Sequence, residues 1–569
     1  MTMPATSRPN LGFTTTRCLA AACLAMALCA ARMEAAAQPF ELQLRTRVAD
    51  AAPSDAPGSS ATTAVVRTQR KPETWSPAET AVIVCDMWDA HHCLNAVRRV
   101  GELAPRMNAF LEAARARGAT IIHAPSSCME FYRDHPARLN AQAVPRAAKL
   151  PAQIESWCHW KDPTEQQIGY PIDHSDGGED DDPAEHAAWH AKLAAMGRNP
   201  GSPWIRQTPA IEIDDGDFIT DDGVENWSIL EQRGIKNVML LGVHTNMCVL
   251  GRPFGLRQMA RHGKHVVLVR DLTDTMYNPA MPPYVSHFSG TDLIVEHIER
   301  YVCPTITSDQ ILGGREFRFR QDRRPHLAIL IGEDEYETDR TLPEFARRYL
   351  DRDCRVTVVH DDVDDKDSFP GIETIPDADL LLVSVRRRSP PVKQLQLIHE
   401  FVMQGKPLVG IRTASHAFAL RDGQPLSAGH AVWPEFDAEV WGGNYQGHHG
   451  NKAPADLDTM VWVEAGAAQD PIVARLPGVD AAEQPTTSWL YKTSPLHPGS
   501  RVLMMGRVGD RKPHEPVTWT NIHAGGGRAF YTSLGHPDDF QSESFPVLLR
   551  RGIDWALNRL DEVRPAAAE

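Results

Sequence analysis

The chain has 569 residues, of which 42% are hydrophobic and 23% are charged, with 39 glycines and 43 prolines. This ordinary globular composition excludes a wholly disordered, collagen-like or coiled-coil protein. The formal net charge of −15 argues against a nucleic-acid partner, and ten cysteines are too few for a disulfide scaffold.

Residues 1–37 have the pattern of a secretory signal peptide. A weakly basic start precedes an uncharged run from Cys18 to Ala31, and small residues up to Ala37 fit signal-peptidase cleavage before Gln38. An uncleaved apolar anchor is the alternative. The pattern predicts an exported protein, periplasmic or secreted. Because no later segment has 18 apolar residues in a row, we expect no membrane span in the mature chain.

A linker and then an α/β domain over 76–306 are predicted next. Residues 38–75 are rich in Ala, Ser, Thr, Pro and Asp, which is typical of a linker. Apolar runs and helical spacing then alternate, which indicates a parallel sheet with helices on both faces. The predicted strands are 81–85, 120–123, 237–242 and 265–269, and the predicted helices are 97–117, 223–233 and 247–262. Residues 125–207 interrupt the alternation, as a lid or insertion does.

A second α/β domain is predicted over 326–560, after a linker at 307–325. Its strands are predicted at 327–331, 355–359, 380–385 and 407–411, and its helices at 341–350 and 391–404. The fold class is therefore α/β, with two three-layer α/β/α domains and mainly parallel sheets.

Two residues of the first domain stand where open α/β sheets place their sites, at the carboxyl ends of strands. Asp86 directly follows the first predicted strand, and Cys248 lies at a strand-to-helix turn. A helix N-terminus lowers the pKa of a thiol, and a nearby carboxylate can accept the thiol proton. A buried cysteine that serves only packing is the alternative.

The strings Ala81–Asp86 and Val238–Val249, the latter VMLLGVHTNMCV, resemble the isochorismatase-like cysteine hydrolases over about 78–306. The resemblance implies a Rossmann-type fold with Cys248 as the nucleophile and Asp86 as the general base.

It also implies a non-proline cis peptide at Val243-His244. That bond would turn the backbone N–H groups around His244, Thr245 and Cys248 into an oxyanion hole.

One departure from that family concerns a lysine on its middle strand. The matching stretch, 208–217, contains no lysine, and an acidic residue such as Glu212 there would raise the pKa of the thiol by like-charge repulsion. Substitute cations or substrate contacts are therefore sought elsewhere. The candidates are Glu212, Lys161, Arg206, Arg252 and His244.

No metal and no cofactor are expected. The Asp-x-His zinc motif of the nicotinamidases in that family is absent, because the sequence reads His123-Ala-Pro-Ser-Ser at its place. Asp89, His91 and His92 could serve a metal, but a polar loop is the alternative that we prefer, since adjacent histidines seldom face one ion.

The second domain resembles the ThuA-like (trehalose-utilisation) proteins, which have the class I glutamine amidotransferase-like, flavodoxin-related fold. The carriers are LVGIRTASHAF at 408–418, the strings at 516–540 and GIDWALNR at 552–559. Arg412 begins the turn where amidotransferases have a nucleophilic cysteine, which excludes amidotransfer there. Arg412, His416 and His536 are pocket candidates, although His416 could equally cap a helix. Trp433, Trp441 and Tyr445 could stack on sugars or belong to the core.

Two functions follow. In the first, an exported cysteine hydrolase cleaves a C–N, amide-like bond of a small molecule, and the second domain is an accessory that binds carbohydrate. In the second, the site is degenerate and the protein is an extracytoplasmic carbohydrate-binding or scaffold protein. Family members commonly assemble, so a homo-oligomer is expected.

Overall fold

The computed structural model describes residues 38–49, 66–161, 163–450, 458–478 and 483–560, so the predicted signal peptide lies outside the described residues. The chain divides into two compact units. The first comprises the residues up to Thr46, Lys71–Pro283 and Gly290–Gln321, and the second comprises Arg47–Arg70, Tyr284–Ser289 and the residues from Asp322 onward.

Strands and helices alternate along residues 40–312. They are β1 (Phe40–Ala49), β2 (Val66–Trp75), β3 (Thr80–Cys85), α1 (Leu94–Ala116), β4 (Thr120–Ala124), α2 (Pro136–Ala143), α3 (Pro163–Gln167), α4 (Pro183–Ala195), β5 (Phe218–Ile219), α5 (Gly223–Gln232), β6 (Asn237–Val243), α6 (Leu256–Arg261), β7 (His265–Asp274), α7 (His287–Tyr301), β8 (Thr305–Ile306) and α8 (Asp309–Leu312). The predicted insertion, 125–207, contains α2, α3 and α4.

The first sheet has the strand order β2-β1-β8-β7-β6-β3-β4-β5. From β8 to β5 every neighbouring pair is parallel, and β1 is antiparallel to β8. All six residues of β3 are buried, because its continuous apolar run faces helices on both sides of the sheet.

The prediction of a linker over 38–75 is wrong for its described parts, which form β1 and β2 at the edge of this sheet. Phe40, Leu42 and Leu44 are buried while the residues between them are exposed. This alternation with period two is a strand pattern, and the Ala- and Ser-rich composition of the longer segment concealed it.

The second unit, over residues 326–556, begins with strands and helices in alternation and continues with successive strands before its last helix. Its elements are β9 (His326–Gly332), α9 (Thr338–Tyr349), β10 (Arg355–His360), β11 (Leu380–Val385), α10 (Val392–Met403), β12 (Leu408–Ile411), β13 (Thr459–Val463), β14 (Gln484–Thr486), β15 (Arg501–Val508), β16 (Glu515–Ile522), β17 (Arg528–Thr532) and α11 (Ser544–Ala556).

The second sheet has the order β10-β9-β11-β12-β17-β16-β15-β13-β14. It is parallel from β10 to β17 and antiparallel from β17 to β14. The predicted class of two α/β units is confirmed, with an antiparallel extension that the sequence pattern did not indicate. In the described parts of the chain, no helix is both long enough and apolar enough to cross a membrane.

Candidate functional site

The first site forms where β3 and β6 end side by side. Cys85 pairs with Gly242 in the sheet register. A Cβ atom on Gly242 would lie 2.0 Å from the Cys85 carbonyl oxygen, and the φ of Gly242 is +108°, so only glycine fits there. This close approach brings the turn after β6 next to Asp86.

Asp86 is fully buried and has a left-handed backbone conformation, with φ +44°. Its Oδ1 atom accepts a hydrogen bond of 2.7 Å from the Ser126 N–H, and its Oδ2 atom lies 3.1 Å from Arg252 Nε. A non-glycine residue held in this conformation is a common mark of a functional site.

Cys248 lies in a single π-helical turn, Thr245–Val249, and its thiol is close enough to Asp86 for the carboxylate charge to raise the thiol pKa. The Val243-His244 peptide bond before this turn is cis, which is the bond that the resemblance implies. The Thr245 hydroxyl donates to the Asp274 carbonyl at 2.8 Å, so this side chain fastens the turn to β7.

Arg252 is the cation that accompanies this pair. Its Nε atom lies 3.1 Å from Asp86 Oδ2, its charge lowers the pKa of Cys248, and its Cζ atom lies 4.7 Å from the centre of the Trp157 ring. Trp157 belongs to the insertion, so the insertion covers one side of the charged cluster.

Three of the other candidates to replace the family lysine lie away from the thiol and the carboxylate. Glu212 is exposed, and its backbone amide donates to Asn108. Lys161 lies 5.5 Å from the Tyr170 ring centre and lines a separate cavity of about 650 Å³ beside Asn246. Arg206 lies over the Phe131 ring. Of the candidates, the structure therefore brings Arg252 to the thiol and the carboxylate.

The prediction of a lowered thiol pKa is wrong in direction. Burial and the neighbouring Asp86 carboxylate raise the pKa of Cys248, and Arg252 only partly opposes them. The predicted helix 247–262 is broken into the π turn and the six residues of α6, so little helix dipole acts on the sulfur. Burial also raises the pKa of Asp86, against the opposing effect of Arg252.

The loop after Asp86 carries an aromatic stack. The Trp88 and Trp204 rings stack at 4.5 Å, and His91 lies 4.8 Å from the His244 ring. Asp89 pairs with Arg198 at 2.8 Å, and His92 pairs with Glu179.

The acidic run Glu179–Asp182 is partly buried. Asp180 pairs with Arg99, and Asp181 accepts hydrogen bonds from the N–H groups of Leu94 and Asn95 at the start of α1. These two carboxylates and Cys93 are the one group that could hold a metal ion among the residues that the structure describes. Helix capping and the ion pair account for both carboxylates.

All seven cysteines in the described part of the chain are buried, and none of them is in a disulfide.

The second unit brings Arg412, His416 and His536 together in one cavity of about 560 Å³. They lie beyond the carboxyl ends of β12 and β17. Arg386 and Arg387, which line the same cavity, follow β11. These two arginines were not predicted from the sequence, although the run of three arginines directly after a predicted strand was a signal for them.

Two of the three aromatic candidates belong to the core. Trp441 is fully buried and its indole N–H donates to the Ala414 carbonyl, and Trp433 is 8% exposed. Tyr445 lines the cavity and stacks on His416 with ring centres 4.2 Å apart. His416 is therefore a cavity residue.

The comparisons with known proteins concern both units. A ThuA-like protein from Bacteroides uniformis is similar in structure, with 16% identity and a TM-score of 0.30, over 43% of this chain and 95% of that chain. A cysteine hydrolase from Pseudomonas syringae pv. phaseolicola has 17% identity and a TM-score of 0.26, over 42% and 93%. An isochorismatase family protein from Burkholderia thailandensis has 14% identity and a TM-score of 0.22, over 41% and 93%.

No curated protein matches the chain in sequence. A family model described as ThuA, trehalose utilisation, matches residues 329–556, so this part of the chain is a ThuA-like domain.

Proposed function

We propose that the first unit is a cysteine hydrolase that cleaves a C–N, amide-like bond of a small molecule. One observation carries the proposal: a buried thiol and a buried carboxylate lie together at the carboxyl ends of parallel strands, with a guanidinium paired to the carboxylate at 3.1 Å. A nucleophile beside a base that a third group orients is the arrangement that covalent catalysis requires.

In the proposed first step, the Cys248 sulfur attacks the carbonyl carbon while its proton passes to the Asp86 carboxylate. The tetrahedral intermediate collapses when the leaving nitrogen takes that proton, which releases the amine and leaves a thioester. Water then attacks the thioester and gives its proton to Asp86. The acid leaves as the sulfur recovers a proton, so every atom and charge balances.

Arg252 can do the work of the absent lysine. A thiolate on Cys248 and the buried carboxylate of Asp86 would repel each other, and the guanidinium of Arg252 neutralises one of these two negative charges. Because the pKa of the resting thiol is raised, the proton transfer belongs to the step in which substrate is attacked, where backbone N–H groups of the turn around 244–248 receive the new oxyanion.

The insertion is the proposed lid. Trp157 stacks on Arg252, the Cys158 N–H donates to the Gly251 carbonyl at 2.8 Å, and the Tyr170 hydroxyl donates to the Asn246 carbonyl at 3.2 Å. These contacts from 125–207 surround the turn that carries Cys248. They support a role for the insertion in excluding water and in selecting the substrate.

The protein is further proposed to be exported, with the ThuA-like domain as an accessory to the hydrolase. Residues 18–37 support export by their pattern. N-terminal sequencing of the exported form should begin at Gln38, and retention of residue 1 in that form would contradict cleavage.

A hydrolase screen over amides, ureides and esters tests the activity. The wild type should hydrolyse at least one class, Cys248→Ala and Asp86→Asn should be inactive on it, and Cys303→Ala, which removes another buried thiol, should retain activity. Failure of the wild type on every class would favour the degenerate binding or scaffold protein instead, and activity in Cys248→Ala would contradict the role of this thiol as the nucleophile.

A further inference from the structure

The cavity of the second unit collects positive charge. Arg386, Arg387, Arg412 and Arg421 line it, and the side chain of Glu335 is the carboxylate that lines it with them. Glu335 pairs with Arg386 at 2.5 Å. Among the residues that the structure describes, no carboxylate forms an ion pair with the other three arginines.

Arg412 is held in place without using all of its donors. It is 2% exposed and has φ +44°. Its Nη1 atom donates to the Ser533 carbonyl at 2.7 Å, and its Nη2 atom donates to the Tyr336 hydroxyl at 3.2 Å. Its Nε atom is buried and has no hydrogen-bond partner within the described residues. A buried guanidinium with an unused donor indicates a missing acceptor.

The neighbouring titratable groups respond to this charge. Burial and then the positive charges of Arg387, Arg386, Arg412 and Arg421 hold the pKa of His416 well below its usual value. Protonation of His416 therefore does not add to the charge of the cavity at neutral pH.

Aromatic side chains form another part of the cavity wall. Tyr336, Tyr445, Tyr491 and Trp489 line it, and the Arg412 guanidinium lies 4.1 Å from the Tyr336 ring centre. A volume of about 560 Å³ is in the range of small-molecule sites, and flat rings beside fixed donors suit a ligand with both a ring and a charged group.

We propose that this cavity binds an anionic small molecule of monosaccharide size, with its carboxylate or phosphate group against Arg387, Arg412 and Arg421 and its ring against the aromatic wall. Arginine presents a planar fork of donors that matches both kinds of oxyanion. The proposal is independent of the hydrolase site, because it uses no residue of the first unit.

Isothermal titration of the full chain with glucose 6-phosphate, glucuronate, inorganic phosphate and glucose tests the proposal. Glucose 6-phosphate or glucuronate should bind at least about tenfold more tightly than glucose, and raising the salt concentration should weaken that binding. Inorganic phosphate should bind more weakly than glucose 6-phosphate, because it has no ring. Equal binding of glucose, or no binding of either organic anion, would overturn the proposal, and equal binding of inorganic phosphate would overturn the role of the ring.

The double variant Arg387→Gln, Arg421→Gln should weaken binding of the organic anion by about tenfold or more. Arg501→Gln is the matched control, because Arg501 is exposed and lies outside the cavity, and it should bind as the wild type does. Circular dichroism checks that each variant is folded, and folded double variants that bind as tightly as the wild type would contradict the assignment.

Discussion

The two units place a left-handed, non-glycine residue at the same point of their sheets, directly after a central parallel strand. In the first unit this residue is Asp86 after β3, and in the second it is Arg412 after β12; both have φ +44°. Each begins the cluster of polar groups at that sheet edge. The same backbone device therefore presents a base in one unit and a cation in the other.

The charged groups around Asp86 also differ from those around Arg412. In the first unit, the guanidinium of Arg252 pairs with the carboxylate of Asp86, and the Cys248 thiol lies within the influence of both charges. In the second unit, four arginines line a cavity in which Glu335 is the carboxylate that lines the wall with them. The first arrangement suits proton transfer and the second suits binding of an anion, so chemistry and binding should be separable by substitution.

The largest effect is expected from a pair of substitutions that separates the two sites. Cys248→Ala should lower kcat/KM for hydrolysis by about 10³-fold or more and leave binding of the organic anion unchanged. Arg387→Gln should weaken binding of the organic anion and leave kcat/KM for hydrolysis unchanged. Calorimetry and an activity assay on both variants check this, and a loss of both functions in either folded variant would contradict separate sites.

Removal of the cation at the first site should be nearly as severe. Arg252→Met leaves the buried Asp86 carboxylate without its largest opposing charge, so its already raised pKa should rise further. The acid limb of the kcat/KM profile should move to higher pH, with activity at pH 7 lowered by about 10²-fold.

Arg252→Lys keeps the charge and is the control, with a smaller shift of the acid limb. A pH profile of Arg252→Met that coincides with that of the wild type would show that the guanidinium does not act on Asp86.

A buried carboxylate of the second unit gives a contrasting case. Asp437 has no ion-pair partner among the described residues, and burial raises its pKa to about 7, against one hydrogen bond from the Tyr445 N–H. A raised folded pKa makes stability fall as pH rises from the unfolded value of 3.8 towards 7. Through Asp437, the wild type should lose about 3 kcal/mol of its free energy of unfolding between pH 5 and pH 8, and Asp437→Asn should not show this loss.

Urea unfolding of the wild type, of Asp437→Asn and of the exposed control Asp422→Asn at both pH values measures that difference. Parallel pH dependence in all three proteins would contradict a raised pKa at Asp437.

The smallest effect is expected at the lid. Trp157→Ala removes the ring that lies over Arg252, a cation–π contact of about 0.5–1 kcal/mol, and should lower kcat/KM by about two- to fivefold. Trp160→Ala is a matched control, since Trp160 lies over Arg261 with similar exposure. Equal effects of the two substitutions would show that Trp157 has no specific role at the hydrolase site.

Much of the fold could be predicted because buried parallel strands have continuous apolar runs. The run 380–385 and the helix 223–233 agree with β11 and α5 nearly to the residue. The antiparallel strands β13 to β16 were missed, since β13 and β14 are short, β15 is half-buried, and polar residues interrupt the apolar run of the buried strand β16. The strand β1 was missed because the Ala- and Ser-rich composition of residues 38–75 outweighed three alternating apolar residues.

The candidate site was predicted in part. Asp86 and Cys248 were found from strand ends and from a family string, but the choice of Arg252 among several cations depends on the fold that brings it back to Asp86. The direction of the thiol pKa was wrong because burial is a property of the whole packed unit. Of the arginines of the second cavity, Arg412 alone was predicted, because Arg386 and Arg387 follow a different strand and Arg421 lies in a loop.

The central claim, that Cys248 carries a covalent intermediate, is tested most directly by mass spectrometry. The wild type is mixed with the best substrate from the hydrolase screen, quenched in acid and digested. We expect the peptide that contains Cys248 to gain the mass of the acyl group through a thioester, and Cys248→Ala to show no adduct. Turnover without an adduct on Cys248, together with retained activity in Cys248→Ala, would contradict the account.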